Sequence, residues 1–350
     1  MKSLLIVGAL PDEKNGLQYG GATVLMKNFV DFLKSQKIDF LFSQTNKVSD
    51  IKLKTNNTFY SALYFFPDFL RKLRRSDKVM FNFSDHGITT LFPVLSKIAR
   101  FFGKKIIIRK FGGSFDTYIK KLSTSKQRTV LQAIQKADLI LFETHAGIRH
   151  LTSVIDGDIN IQWFPNIRNL PEERKDTIDY NKKIVFLSHI SDEKGVGDLL
   201  AVKKLLPDDY EIHFYGAIKD NKYLNFPWES HGVIYHGEIS SDLVPQILSQ
   251  SMLLVLPSSY REGYPGIVIE AFSVGLPVVT SDVGGLSEMY HDGKEGRMIK
   301  CGDIEAIASA ILSFTPENYS KMCEAAFSNF CMNFEATSTN RRICDLINSL

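Results

Sequence analysis

Short apolar runs rich in β-branched residues alternate with stretches of helical length along almost the whole chain, and the alternation runs through twice. In the first half the runs are Leu4–Val7, Asp39–Phe42, Val79–Phe83, Lys105–Arg109, Asp138–Phe142 and Ile161–Phe164, separated by amphipathic stretches such as Ala22–Leu33, Leu91–Phe102 and Thr124–Lys136. A polar stretch from Asn166 to Lys183, rich in charge around Pro171 to Asp176, interrupts the pattern. It restarts with Ile184–His189, Glu211–Tyr215, Val233–His236, Met252–Leu256, Leu276–Thr280 and Gly296–Lys300. Two successive β/α series predict an α/β protein with two Rossmann-like domains, each a doubly wound parallel sheet. Sheets of this kind bind ligands beyond the carboxyl ends of their strands, so the cleft between the domains is the expected site.

At 350 residues, two domains are the natural expectation. The predicted division is 1–168 for the first domain, 169–182 for a linker, 183–330 for the second domain, and 331–350 for a C-terminal helix packing back on the first. Cys301, Cys323, Cys331 and Cys344 all fall in the last fifty residues without a CxxC pair, which argues against a zinc site or a disulfide framework and fits a reducing cytosol. The run Leu4–Val7 is too short for a signal segment and reads as a first strand. No segment approaches the length of apolar sequence needed to span a membrane. The net charge of +3 hides an asymmetry: residues 1–170 carry 26 Lys plus Arg against 13 Asp plus Glu, and residues 171–350 carry 16 against 26. A basic first half points to an anionic partner.

The densest chemistry lies in Glu262-Gly263-Tyr264-Pro265-Gly266, followed by an apolar run to Glu270 and then Gly275 and Pro277. Gly266 leaves room for close backbone approach, and Ile267 to Val274 predict a short helix that Gly275 ends and Pro277 prevents from continuing. Glu262 then sits on a loop and Glu270 in the first turns of the helix. The free helix N-terminus between them suits an anion. A diphosphate on the amides with a carboxylate on either side is the chemistry of a nucleotide-sugar. Two glycosidase carboxylates could show similar spacing, but a hydrolase needs no helix terminus beside them.

This block resembles the signature of retaining GT-B glycosyltransferases, the large group called family 4, in which E-x7-E is followed by E-A-x-A-x-G-x-P-V-V; Phe272-Ser273 departs from the usual residues there. Lys136-Ala137-Asp138, Phe164-Pro165-Asn166 and Glu193-Lys194-Gly195 stand in the order the family shows. The resemblance implies that Glu270 accepts the ribose hydroxyls and that Glu262 sits against the donor sugar. It gives the amides of Gly263, Tyr264, Pro265 and Gly266 the region of the phosphate and sugar oxygens, with Pro265 contributing no N–H of its own. Lys194 would clamp the diphosphate as it leaves, the largest kind of electrostatic contribution in such transfers. His189 stands where arginine is usual and lacks its fork and permanent charge; it reads equally as a strand-end histidine. His236, at a later strand end, is expected to flank the nucleotide.

In the first domain the resemblance directs attention to strand-end loops. Gly20 and Gly21 precede the first long helix, where amides can approach a ligand. Asp85, His86, Arg109, Lys110, Gly112 and Gly113 are the acceptor-side candidates. Tyr64 to Leu70 followed by Arg71, Lys72, Arg74 and Arg75 reads either as a membrane-surface segment or as a core-facing helix with a solvated charged end.

The implied activity is transfer of a sugar from a nucleotide-diphosphate sugar, UDP by analogy, to a saccharide or lipid-linked saccharide with retention of configuration. It implies polysaccharide biosynthesis in the cytoplasm, with peripheral contact to an anionic membrane. No metal, no further cofactor and no nucleic acid is expected. Two other readings stand beside it: a nucleotide-sugar epimerase of the same architecture, and a non-catalytic nucleotide-sugar-binding scaffold. A dehydrogenase is disfavoured because the glycine fingerprint is absent.

Overall fold

The structure, a computed structural model, describes residues 3–11, 21–46, 61–172, 179–261 and 263–350. The chain divides into two compact units: Met1–Pro165 with Thr337–Leu350, and Asn166–Ala336. Each contains one six-stranded sheet flanked by helices.

The first unit holds β1 (Leu4–Gly8), β2 (Phe40–Gln44), β3 (Lys78–Phe83), β4 (Lys105–Lys110), β5 (Leu139–Phe142) and β6 (Ile161–Trp163), in the order β2-β1-β3-β4-β5-β6. All the pairings are parallel. Their uninterrupted apolar character has a direct cause. Helices cover both faces, so Leu5, Ile6 and Val7 are all fully buried, as are Val79, Met80 and Phe81, rather than alternating between core and water. One aromatic-rich core joins the sheet to the helices Phe66–Arg74, Phe92–Phe101 and Thr124–Gln135 through Phe69, Leu73, Phe92, Leu95, Val130 and Ile134.

Every expected strand is present, with ends displaced by a residue or two. The helix expected over Leu91–Phe102 runs from Phe92 to Phe101 and is preceded by another, Asp85–Thr90, that the sequence pattern hid. Gly87, Thr89 and Thr90 are poor helix formers. Gly87 packs so closely on the Phe83 ring that a Cβ would lie 2.8 Å from it, so tertiary packing overrides propensity there.

The second unit holds β7 (Lys183–Leu187), β8 (Glu211–Tyr215), β9 (Ile234–Tyr235), β10 (Leu253–Leu256), β11 (Val278–Ser281) and β12 (Gly296–Ile299), in the order β12-β11-β10-β7-β8-β9. The strand order reverses between β7 and β10, the kind of crevice at which doubly wound sheets take ligands. The strand expected from Leu276 begins at Val278, because Leu276 N–H closes the preceding helix on the Ala271 carbonyl and Pro277 has no N–H to give. Tyr180, in the polar stretch, donates to the Phe314 carbonyl at 2.8 Å and belongs to this unit.

The helix Pro316–Asn333 packs in the second unit, whereas most of Ala336–Asn348 belongs to the first. Lys78, buried at the start of β3, donates through Nζ to the carbonyls of Ile347 at 2.5 Å and Asn348 at 3.1 Å. A cation at the negative end of that last helix satisfies carbonyls that the helix itself leaves open. Lys78→Met is expected to lower stability by about 2 kcal/mol, because the buried Ile347 carbonyl loses a charged donor. An unchanged thermal melting curve would refute that role.

Candidate active site

The loops that follow β7 and β10 lie on either side of the strand-order reversal and are bound to each other. The Glu193 carbonyl accepts from Ser259 N–H at 2.9 Å, Tyr260 N–H at 3.2 Å and Ser258 Oγ at 3.1 Å. Gly195, at φ +85°, lies so near Pro257 that a Cβ would fall 2.5 Å from the proline ring and carbonyl. Only glycine fits both constraints there. Lys194 lies between these anchors, in the short helical turn Asp192–Lys194, with Nζ 4.9 Å from the centre of the Tyr260 ring. His189 is exposed just past the end of β7, ahead of this turn.

Beyond Tyr260 the chain leads to Glu262, which lies outside the described residues, as does Gly20. The turn resumes at Gly263. Gly285, in the loop after β11, is a glycine for a stated reason: a Cβ there would sit 2.2 Å from the Gly263 carbonyl. Tyr264 is buried, packs edge-on against Phe334 with centroids 6.1 Å apart, and accepts Asn166 Nδ2 on its carbonyl at 2.8 Å. Pro265 precedes the helix Gly266–Val274, which starts one residue earlier than expected and ends at Gly275 in the left-handed conformation (φ +80°). Six of its nine residues are buried, while Glu270 stays partly exposed.

Glu270 is paired with Arg168: Nε donates to Oε1 at 2.5 Å. No motif in the sequence marks Arg168 or Asn166 as a site residue. Their signal was the Pro165-Asn166 step after a strand, which marks a bend without showing which way its side chains turn.

His236 stands just past β9 in a stack of rings, 4.4 Å from Tyr215 and 5.1 Å from His213 between centroids, both at 7°. Its Nε2 lies 2.9 Å from His213 Nδ1, and His213 Nε2 lies 3.0 Å from Glu211. Burial holds both imidazoles below the usual histidine range, with Glu211 pulling His213 the other way.

In the first unit, Asp85, Lys110 and Gly112 come together. Lys110 Nζ pairs with Asp85 at 2.8 Å and donates to the Gly112 carbonyl at 2.7 Å; Ser114 Oγ donates to the other Asp85 oxygen at 2.6 Å. Gly112 N–H donates to Glu143 at 2.7 Å. The Lys110 ammonium is fully buried, and burial pulls its pKa down against Asp85. Arg109 is also buried and faces Phe164, Phe111 and Phe29, its guanidinium carbon 3.6 Å, 4.6 Å and 5.9 Å from their ring centres. His86 is exposed in the first turn of Asp85–Thr90, and Gly113 lies in the bend before Phe115–Lys120. Gly21 opens the helix Gly21–Ser35, and a Cβ at that position would meet nothing within 4 Å, so sterics do not demand glycine there. The described residues hold no cluster of three or more metal-ligating side chains.

Two parallel sheets of this order define the GT-B architecture, and solved structures agree. HepE from Anabaena, crystallised with UDP, superposes over 100% of both chains with a TM-score of 0.74 at 15% identity, a likeness of fold. Residues 181–315 match the family described as Glycosyl transferases group 1. The "Putative teichuronic acid biosynthesis glycosyltransferase TuaC" of Bacillus subtilis is 33% identical over 134 residues, 38% of this chain and 33% of TuaC. An Escherichia coli enzyme, UDP-Gal:alpha-D-GlcNAc-diphosphoundecaprenol alpha-1,3-galactosyltransferase, is 34% identical over 74 residues, 21% of this chain and 19% of that enzyme. The match to TuaC thus spans about a third of that relative's length.

The histidine pair carries a pH signature. The folded rings bind protons less readily than the unfolded chain, so stability is complete above the ordinary histidine pKa of about 6.5 and falls as pH drops below it. Replacing both His213 and His236 with Phe is expected to flatten the fall in melting temperature between pH 7.5 and 5.5. Parallel curves for variant and wild type would refute the assignment.

Proposed function

We propose that the protein is a retaining glycosyltransferase that moves a sugar from a nucleotide-diphosphate sugar to a saccharide or lipid-linked saccharide, without a metal ion, in polysaccharide synthesis. One observation carries this reading: the Glu193 carbonyl binds the loop after β10 to the loop after β7, at the point where strand order reverses. That fixes Lys194 beside the stretch leading into the Gly263–Gly266 turn. A lysine side chain and a helix N-terminus thereby share one edge of one sheet, which suits a diphosphate.

In this reading Lys194 and the turn amides take up charge as the diphosphate departs. The bond from the anomeric carbon to the diphosphate oxygen breaks with its electron pair going to the diphosphate. The acceptor oxygen bonds to the same face, and its proton passes to the leaving group. Glu262 orients the sugar and Glu270 holds the ribose. UDP is the favoured nucleotide because HepE was crystallised with UDP and with UDP-glucose. The matched Escherichia coli enzyme, named for a diphosphoundecaprenol-linked acceptor, favours a lipid-linked one.

A panel of UDP-, GDP- and ADP-sugars followed by melting temperature should single out one nucleotide, since a ligand held only by the folded state raises it. With the matching donor and acceptor, Lys194→Ala is expected to lower kcat by about a hundredfold or more, measured by nucleotide release. Interconversion of nucleotide-sugars without any acceptor would favour the epimerase. Undiminished turnover in Lys194→Ala would remove its leaving-group role.

Contact with an anionic membrane completes the reading, on altered grounds. Phe65, Phe69 and Leu73 turn into the core, with Phe65 and Phe69 stacked at 5.8 Å, so these side chains are structural, while Tyr64 stays exposed. Its neighbours supply the surface. On the outer side of Phe66–Arg74, Phe92–Phe101 and Thr124–Gln135, Arg71, Arg74, Lys97, Arg100, Lys126 and Arg128 are exposed. Asp68 is the only carboxylate of the three helices, and it is paired with Arg71 and Lys72. Phe101 is 86% exposed and Val94 52% exposed among these cations. Apolar side chains within a basic face suit lipid headgroups. Among the described residues no helix is long and apolar enough to cross a membrane. Sedimentation with phosphatidylglycerol vesicles but not phosphatidylcholine vesicles is expected, reversed by salt and lost when Arg71, Arg74 and Arg75 become Glu. Equal binding to both vesicle types would refute it.

A further inference from the structure

Arg168 has no role in the transfer just described, yet it grips the carboxylate assigned to the ribose. Its guanidinium is held from several sides. Nε donates to Glu270 Oε1 at 2.5 Å, and Nη1 donates to Asn166 Oδ1 at 2.6 Å and to the Ile167 carbonyl at 3.0 Å. Nη2 occupies the place where a side chain on Gly266 would begin, 1.7 Å from an ideal Cβ. The backbone is pinned as well: Arg168 N–H donates to the Phe334 carbonyl at 3.0 Å, and the Arg168 carbonyl accepts from Ala336 N–H at 2.9 Å.

This placement is electrostatically uneven. The guanidinium lies on the first residue of the helix Gly266–Val274, at the positive end of its dipole, where a cation is disfavoured. Glu270, about one turn further along, offsets that cost, so each partner holds the other in place. A glutamate left to itself has a flexible side chain whose ordering opposes binding when a ligand arrives. Here folding has already ordered it, and preorganisation of this kind appears as affinity and selectivity. Arg168 engages Oε1, and among the described residues the structure records no partner for Oε2.

We propose that Arg168 is a positioning residue: it fixes Glu270 so that Oε2 faces the ribose hydroxyls of the nucleotide, and glycine at position 266 is what admits the guanidinium. The inference rests on the reading of Glu270 as a ribose-binding carboxylate.

Calorimetric titration of UDP, GDP and ADP, each beside its 2′-deoxy form, tests it on wild type, Glu270→Gln, Arg168→Ala and Arg168→Lys. For the nucleotide that binds wild type best, the ribose form is expected to bind about tenfold or more tightly than the deoxy form, the scale of a hydrogen bond to a charged acceptor. Glu270→Gln and Arg168→Ala should both bring that ratio close to one. Arg168→Lys keeps the charge without the fork and should restore only part of it. Because each ratio is taken within one variant, a general loss of folded protein does not move it. Arg168→Ala keeping the full ratio while Glu270→Gln loses it overturns the role of Arg168 alone. A wild type that binds none of the three nucleotides, or binds without ribose preference, overturns the reading of Glu270 and this inference with it.

Discussion

Parallel strands cannot be joined by tight turns, so the chain must cross back over the sheet after every strand. That single constraint gathers the loops following the strands at one edge of each sheet. It also explains why residues far apart in sequence, such as Glu193 and Ser259, share a hydrogen bond. In the second unit the reversal of strand order between β7 and β10 opens a crevice in that edge, and four hydrogen bonds to one carbonyl, the fourth from Ser259 Oγ, bind its walls together. Gly195 and Gly285 allow the loops to approach at distances a Cβ would forbid. The cation, the turn and the helix terminus belong to one rigid arrangement because the backbone beneath them is over-determined.

Much of this was legible in the chain. Continuous apolar runs such as Leu4–Val7 and Met252–Leu256 are buried on both faces, and that pattern separates a covered parallel sheet from an antiparallel one. Gly275 and Pro277 announced the end of the helix that carries Glu270. The helix Asp85–Thr90 was not legible, since packing of Gly87 on Phe83 rather than propensity holds it. The direction of polar side chains at strand ends was also hidden. Asp85 and Lys110 sit at strand ends, yet they turn to one another, and Arg109 turns to three aromatic rings. A strand end tells where a residue is, and its neighbours decide what it faces.

The basic first half of the chain follows the same division between buried and exposed charge. A buried cation is tolerable only with a partner or an aromatic face to offset lost hydration. Lys110 has Asp85, Lys78 has the end of the last helix, and Arg109 has the faces of Phe164 and Phe111. Arg71, Arg74, Lys97, Arg100, Lys126 and Arg128 are instead exposed on the outside of three helices that carry a single carboxylate. Counting charges along the sequence merged these populations, although only the exposed one creates a field beyond the protein.

Lys78 and the carbonyl it caps at Ile347 are 269 residues apart. The whole of the second unit is threaded between them. During synthesis the second unit therefore has all of its residues available before the first can close its final helix. The closing segment of the first unit is made after every residue of the second, and a chain cut short before it would carry a complete second unit beside an unfinished first.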